Sequence, residues 1–239
     1  MIRQRLDQAL VARGLVSTRS QAESYIKLGD VQVNGLVVTK PGFMVGEERK
    51  IVLTAKEQYV NRAALKLASV AQALKLDFRS KTVLDVGSST GGFTDYALKH
   101  GAKKVIAVDV GTNQLHPSLL GHPQIELHEQ TDVRDFITDE KLDIIVIDVS
   151  FISLREILPH VAKLSTTQTQ IVAMVKPQFE AQQSSFKHKG VIKNDRMRRD
   201  ILKDFEAWAH QKFVVVDKAD SSIAGSKGNL ERFYLLKKA

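Results

Sequence analysis

Cysteine is absent from the 239 residues, which excludes disulfides and thiolate-ligated zinc. The seven histidines are scattered, and although His116, His122 and His128 recur every six residues they fall in a loop-like stretch, so no metal site is expected. Long apolar runs are also missing. No stretch approaches the roughly 20 residues needed to span a bilayer, and the start, MIRQRLDQAL, lacks the apolar core of a secretory signal. A cytoplasmic protein without a membrane partner is the expectation, and neither repeats nor low-complexity tracts interrupt the chain. What the chain does have is positive charge. Lys and Arg number 35 against 27 Asp and Glu, for a net charge of +8. That excess favours a polyanionic partner, provided that a module exists to bind one.

The chain reads as two parts, residues 1–55 and 61–239, joined by a short polar linker at 56–60. In RLDQALVARGL, Leu6, Ala9, Leu10 and Arg13 have helical spacing, and Gly14 ends the element. Ser17 is placed to cap a second helix in which Ala22, Tyr25 and Ile26 repeat on one face. VQVNGLVV carries an Asn34-Gly35 hairpin signal, and KPGFMV and KIVL predict further strands. The order R-L-D, glycine, S-x-R-x-x-A, I-x-x-G, V-x-V-N-G, then Lys40-Pro41 resembles the S4 RNA-binding domain without a gap. The resemblance implies RNA contacts from Arg5, Ser17, Thr18, Arg19, Gln21, Lys27 and Asn34. Such contacts meet mainly phosphates and sugars, giving affinity and register rather than sequence choice.

From Asn61 onward, helical and strand patterns alternate: NRAALKLASVAQAL, TVLDVG, GFTDYALKHG, KVIAVDV, IELHEQ, DIIVIDVS, LREILPHVAKL, IVAMVKP. A helix, DRMRRDILKDFEAWAHQ, and two strands, FVVVDKADS and RFYLLKK, close the chain. Strands separated by helices predict an α/β fold with a mostly parallel, doubly wound sheet, and the last two strands predict an antiparallel hairpin at its edge. Trp208 falls at helical spacing with Phe205 and is expected in the core. The basic stretch FKHKGVIKNDRMRR, Phe186 to Arg199, reads as a loop entering a helix, either solvated or flanking an RNA strand.

The turn VLDVGSSTGGFTD follows the first strand of this part, at the sheet edge where open α/β folds bind ligands. Its G-x-S-x-G spacing would suit a hydrolase, but His160 and His210 both sit inside predicted helices rather than at that edge. A nicotinamide fingerprint would place glycine where Ser89 stands. An adenosine cofactor fits better. Asp109 ends the second strand about twenty residues on, where a carboxylate can take both ribose hydroxyls, as in dinucleotide sites. Asp132 follows the third strand, near where an adenine amino group would lie, and Asp85 can order the loop or meet an amino group. Asp85, Gly87, Ser88, Ser89, Thr90, Gly91, Gly92, Phe93, Asp109, Asp132 and Asp148 form the candidate cofactor set, and S-adenosylmethionine is the cofactor they describe.

Four ionisable residues are placed where a substrate would enter. Lys66 lies on the first helix of this part, on the face shared with Arg62, opposite the stripe of Leu67, Ala71 and Leu74. Asp148 and Lys176 each break off an almost wholly apolar strand, and Glu231 opens the last one. This quartet resembles the Lys-Asp-Lys-Glu set of the FtsJ-like ribose 2′-O-methyltransferases. With the S4-like part ahead, the whole chain resembles the TlyA family of ribosomal RNA cytidine 2′-O-methyltransferases, also labelled hemolysin A. NRAALKL, DVGSSTGGFTD, DVSFISL, VKPQFE and GNLERF carry the likeness, while Asp132 stands where the family usually has asparagine.

The resemblance implies a class I methyltransferase fold behind a small α+β S4 domain, with ribosomal RNA or a ribosomal subunit as partner. It makes Lys66, Asp148, Lys176 and Glu231 catalytic, and Arg62 an RNA contact. A ribose hydroxyl is a poor nucleophile until its proton is held or removed, and two neighbouring desolvated lysines would each resist protonation. A non-catalytic RNA-binding or ribosome-assembly factor, and a membrane-active hemolysin, are the competing readings.

Overall fold

The computed structural model describes residues 3–55, 58–183, 190–225 and 228–239. The first part begins with a strand that periodicity did not predict, β1 (Arg3–Arg5), followed by helices α1 (Leu6–Ala12) and α2 (Arg19–Leu28). Leu6, Ala9 and Leu10 on α1 pack against Ala22, Tyr25 and Ile26 on α2, all with no exposed surface. The cap of α2 is Thr18, not Ser17: its hydroxyl accepts the Gln21 amide at 3.2 Å. Gly29, in the left-handed region at φ 82°, ends the helix as glycine readily does. Strands β2 (Val31–Val33) and β3 (Leu36–Val37) form the hairpin about Asn34 and Gly35, both at positive φ. Strand β5 (Ile51–Leu53) completes that sheet beside β2, while β4 (Met44–Gly46) pairs with β1.

Tyr59 and Val60 tie the two parts together. Gln21, buried on α2, donates to the Tyr59 carbonyl at 2.6 Å, and the Tyr59 amide reaches the Tyr25 hydroxyl at 3.4 Å. The next amide, Val60, donates to Asp95 at 2.9 Å. The expected linker therefore spends its later residues in contact with both parts, while Lys56 and Glu57 lie outside the described residues.

The second part is a seven-stranded sheet with helices on both faces. In chain order it comprises α3 (Arg62–Ala71), β6 (Thr82–Val86), α4 (Gly92–Lys99), β7 (Lys104–Val108), β8 (Ile125–His128) and β9 (Ile144–Ile147). Then follow α5 (Leu154–Leu164), β10 (Gln170–Val175), α6 (Pro177–Glu180), α7 (Asp195–Ala209), β11 (Phe213–Asp220) and β12 (Arg232–Lys238). The spatial order is β11-β12-β10-β9-β6-β7-β8; β12 runs antiparallel to both β10 and β11, and the other pairings of this sheet among the described residues are parallel. The predicted hairpin is present, and its last strand occupies the interior position.

Alternation along the strands divides the core. Val83, Val105, Ile144, Val172 and Phe233 face α3 and α4, whereas Leu84, Ile106, Ile145, Ile171 and Tyr234 face α5 and α7. A sheet covered on both sides needs apolar residues at every position, which is why these strands read as unbroken apolar runs. Trp208 is half-buried at the rim of the second layer, with ring centroids 5.8 Å from Phe205 and 6.3 Å from Phe213. Strand order reverses between β6 and β9, so the loops at their carboxyl ends diverge and leave a crevice.

Gln21 thus joins the interior and cannot contact RNA as expected. Gln21→Ala is expected to lower unfolding free energy by about 1–3 kcal/mol, because the Tyr59 carbonyl loses its buried donor. Urea denaturation measures it, and an unchanged midpoint would remove this hydrogen bond from the account of how the two parts are joined.

Candidate active site

The turn after β6 is shaped by close approach. Gly87 has φ 80°, and a Cβ there would lie 2.7 Å from the Asp148 carbonyl oxygen. The ends of β6 and β9 can meet this closely only without a side chain. Gly91, at φ 86°, serves packing instead: its Cβ would lie 2.5 Å from Leu119 Cδ1. Gly92 gives room to the side chain of Asn61, which caps α3 and donates to the Thr90 hydroxyl.

Asp109 holds the turn from the second strand. One oxygen accepts the Ser89 amide at 2.8 Å and the other the Gly111 amide at 2.7 Å. Asp85, 1% exposed, accepts from the Thr94 hydroxyl at 2.6 Å through Oδ2. Its Oδ1, like Ser88 Oγ, makes no hydrogen bond with any described residue. Burial pushes the Asp85 carboxyl up to about 7; the Thr94 hydroxyl opposes the shift, and the Asp148 and Asp109 carboxylates add to it. Asp132 is gripped by Arg134 at 2.6 Å, which holds its carboxyl below the usual range against the effect of burial.

Two adjoining cavities lie over this edge. One, of about 530 Å³, is bounded by Val108, Asp109, Val110, Asp132, Val133 and Phe151. The other, of about 170 Å³, is bounded by Asn61, Asp85, Ser88, Phe93, Asp148 and Lys176. They share Gly87, Ser89, Asp148 and Ser150 as walls. Of the residues proposed for a cofactor, Thr90 and Gly91 line neither cavity, while Gly92 lines the smaller one. The larger cavity combines apolar walls with carboxylates at strand ends; the smaller one has unsatisfied acceptors at its base. That donor set fits an adenosine with a cationic amino-acid tail: apolar walls for the base, Asp109 for diol hydroxyls, Asp85 Oδ1 and Ser88 Oγ for an ammonium.

The quartet forms two ion pairs. Lys176 Nζ lies 2.6 Å from Asp148 Oδ1 and donates to Ser150 Oγ at 2.7 Å. Lys66 Nζ lies 2.5 Å from Glu231 Oε2, with side chains only 7% and 3% exposed. Val175 pairs with Arg232 across β10 and β12, so one further step of the register sets Lys176 opposite Glu231. Lys66 is therefore not on a solvated helix face, and each lysine meets a carboxylate at contact distance. Asn61, Ser150 and Phe151 had no role in the sequence reading. Asn61 carried the signal of a helix cap, a small polar residue ahead of an apolar-periodic run. Phe151 is 89% exposed at φ 68°, a backbone region uncommon for a bulky residue.

On the S4-like part, Arg5 and Arg19 converge on Asp7 at 2.9 and 2.8 Å, leaving their side chains 42% and 52% exposed. Burial would raise the Asp7 carboxyl, but the two guanidiniums outweigh it and hold it at about 2. Ser17, Thr18, Lys27 and Asn34 are exposed, although Thr18 also caps α2 and Asn34 Oδ1 accepts the Lys50 amide at 2.9 Å. Arg62, half-buried, opens α3 directly after Asn61. Part of the basic stretch from Phe186 to Arg199 lies outside the described residues; Asn194 caps α7 within the rest.

Comparison with known proteins agrees with this architecture. Residues 59–239 match the FtsJ-like methyltransferase family, and residues 4–51 match the S4 domain. The chain is 43% identical over 180 residues to the 23S rRNA (cytidine-2'-O)-methyltransferase TlyA of Campylobacter jejuni, covering 74% of this chain and 70% of that protein. It is 34% identical over 241 residues to the 16S/23S rRNA (cytidine-2'-O)-methyltransferase TlyA of Mycobacterium tuberculosis, covering 98% of this chain and 90% of that protein. A solved structure of a candidate hemolysin from Streptococcus thermophilus superposes with a TM-score of 0.72 at 36% identity, covering 100% of this chain and 90% of that one.

Asp85 generates a prediction that needs no ligand. A carboxyl whose folded pKa is raised to about 7 contributes stability below its unfolded value, and that contribution is lost as pH rises through about 7. Asp85→Asn, which cannot ionise, should therefore gain in melting temperature relative to wild type between pH 5 and pH 8. A difference independent of pH would show that Asp85 does not titrate in this window.

Proposed function

The chain belongs to the TlyA family, an S4 domain joined to an FtsJ-like methyltransferase, and on that premise we propose that it methylates the ribose 2′-hydroxyl of a cytidine in ribosomal RNA. The observation that carries the reading is Lys176, held by Asp148 and Ser150 on the wall of the smaller cavity. S-adenosylmethionine, when bound, supplies an electrophilic methyl group on sulfur. Asp85 and Ser88 would hold its ammonium, Asp109 its ribose hydroxyls, and Asp132 its adenine amino group.

Lys176 Nζ would orient the ribose hydroxyl, or take its proton after passing one of its own to Asp148, since an ion-paired ammonium has no lone pair to accept with. Asp148 fixes Lys176, and Glu231 fixes Lys66, so that the substrate oxygen would enter a charge-balanced site whose side chains are already positioned. The exposed ring of Phe151 borders the larger cavity, and an unpaired base could stack on it. Arg5, Arg19 and Lys27 on the small domain, with Arg62 nearer the site, supply phosphate contacts. Ribosomal RNA or a subunit as substrate places the work in the cytoplasm, and no helix among the described residues is long and apolar enough to cross a membrane.

Lys176→Ala is expected to lower single-turnover transfer of labelled methyl groups by ~10² to 10⁴-fold while both ligands still bind. Lys176→Arg should not restore it, since guanidinium keeps its proton. A substrate with hydrogen at the target 2′ position should bind and remain unmethylated. Near-normal turnover by Lys176→Ala would remove that lysine from the mechanism, and methylation of the 2′-deoxy substrate would rule out ribose as acceptor.

RNA affinity offers an independent check. Arg19→Ala leaves Arg5 on Asp7, so the buried carboxylate keeps a partner. The variant should bind RNA more weakly, with a salt dependence flatter by about 0.7 to 0.9 log unit per lost phosphate contact. A wild-type salt slope would place the grip elsewhere.

A further inference from the structure

Glu180 is 1% exposed and belongs to none of the roles assigned above. It ends α6, the single turn that begins directly after Lys176, and both the Phe179 and Glu180 amides donate to the Lys176 carbonyl. One helical turn therefore separates the two side chains, and Glu180 is fixed to the backbone that carries Lys176. Its carboxylate reaches across to the loop between β9 and α5. Oε2 accepts the Ser153 hydroxyl at 2.6 Å, and Oε1 accepts the Leu154 amide at 2.7 Å. Arg155 Nε stands 3.6 Å from Oε2.

The same loop begins at Asp148 and Ser150, both held by Lys176. Two segments are thus fastened at both ends, by Lys176 at the start of the loop and by Glu180 at its finish. Between them the Phe151 and Phe179 rings touch, with centroids 5.3 Å apart. Ser153 Oγ accepts the Arg155 amide at 3.1 Å and Glu180 Oε1 the Leu154 amide ahead of it, so the carboxylate shares in capping α5 while tying that cap to the segment of Lys176. Burying a carboxylate is costly unless it is hydrogen-bonded, and here every such bond reaches the loop between β9 and α5, so the burial of Glu180 depends on that loop keeping its place.

We propose that Glu180 is a positioning residue, which fixes the loop carrying Asp148 and Ser150 against Lys176 so that Nζ is aimed at the acceptor hydroxyl. The proposal rests on the reading of Lys176 given above. Glu180 touches neither cofactor nor RNA, and its effect is confined to how well the reacting groups are aligned.

Glu180→Gln should lower kcat by about 10- to 100-fold, the cost of a misplacement on the order of an ångström, with KM for S-adenosylmethionine within about twofold of wild type. Ser153→Ala should act in the same direction, and the double variant should be no worse than the poorer single one, as for partners in one contact. Glu180→Asp keeps the charge but withdraws it by one carbon; it should show the same split and serves if Glu180→Gln does not fold. Wild-type kcat in a folded Glu180 variant, with Lys176→Ala inactive beside it, would overturn the proposal alone. So would multiplicative losses in the double variant, or a loss seen wholly in KM. Full activity in Lys176→Ala would instead overturn the reading on which the proposal stands.

Discussion

Lys66, Lys176 and Glu231 are buried at one edge of the sheet with Asp148 partly exposed beside them, and charges so placed are tolerated only as pairs. Lys66 with Glu231 and Lys176 with Asp148 satisfy that condition at 2.5 and 2.6 Å, and the surrounding elements are placed accordingly. A helix ahead of the sheet, the ends of two parallel strands and the start of an antiparallel one must all converge. Removing one member of a buried pair leaves the other uncompensated, at a cost of about 3–5 kcal/mol. The charge arrangement that suits the chemistry is therefore also a restraint on the fold.

The cofactor turn and the catalytic loop are not independent structures. Gly87 lies so near the Asp148 carbonyl that they behave as one wall, shared by both cavities. Asp109 reaches the same wall from the next strand through the Ser89 amide. Asn61 adds a fourth element by holding Thr90 and occupying the space that Gly92 leaves. Movement in any of these segments would be felt at the site where methyl donor and acceptor meet.

Apolar runs and helical periods made the parallel sheet and its helices legible, because buried strands and amphipathic helices have distinct patterns. Asp148 and Lys176 were legible for a related reason, since a charge that terminates an apolar strand is out of place unless it has work; Lys66 and Glu231 joined them only through the resemblance to the FtsJ-like set. Partners were not legible. Nothing local ties Lys66 to Glu231, which are joined only when β12 folds back beside β10. Gln21 looked like a polar surface residue because its buried partner, the Tyr59 carbonyl, is backbone and leaves no trace in composition. Gly91 read as ligand room and proved to be room for Leu115 and Leu119, since a glycine in a turn does not say which neighbour needs its space. The strand β1 is too short to show a period, and α6 is a single turn with none.

The last strand in chain order, β12, occupies an interior slot between β10 and β11. As the chain emerges from a ribosome, β6 to β10 can assemble while that slot stays empty, leaving one side of β10 as a bare row of amides and carbonyls. Such an edge is a template for unwanted pairing with other chains. Glu231 stands immediately ahead of the strand that covers it. Protection of the nascent sheet and arrival of the carboxylate that neutralises Lys66 are thus a single late event in biogenesis.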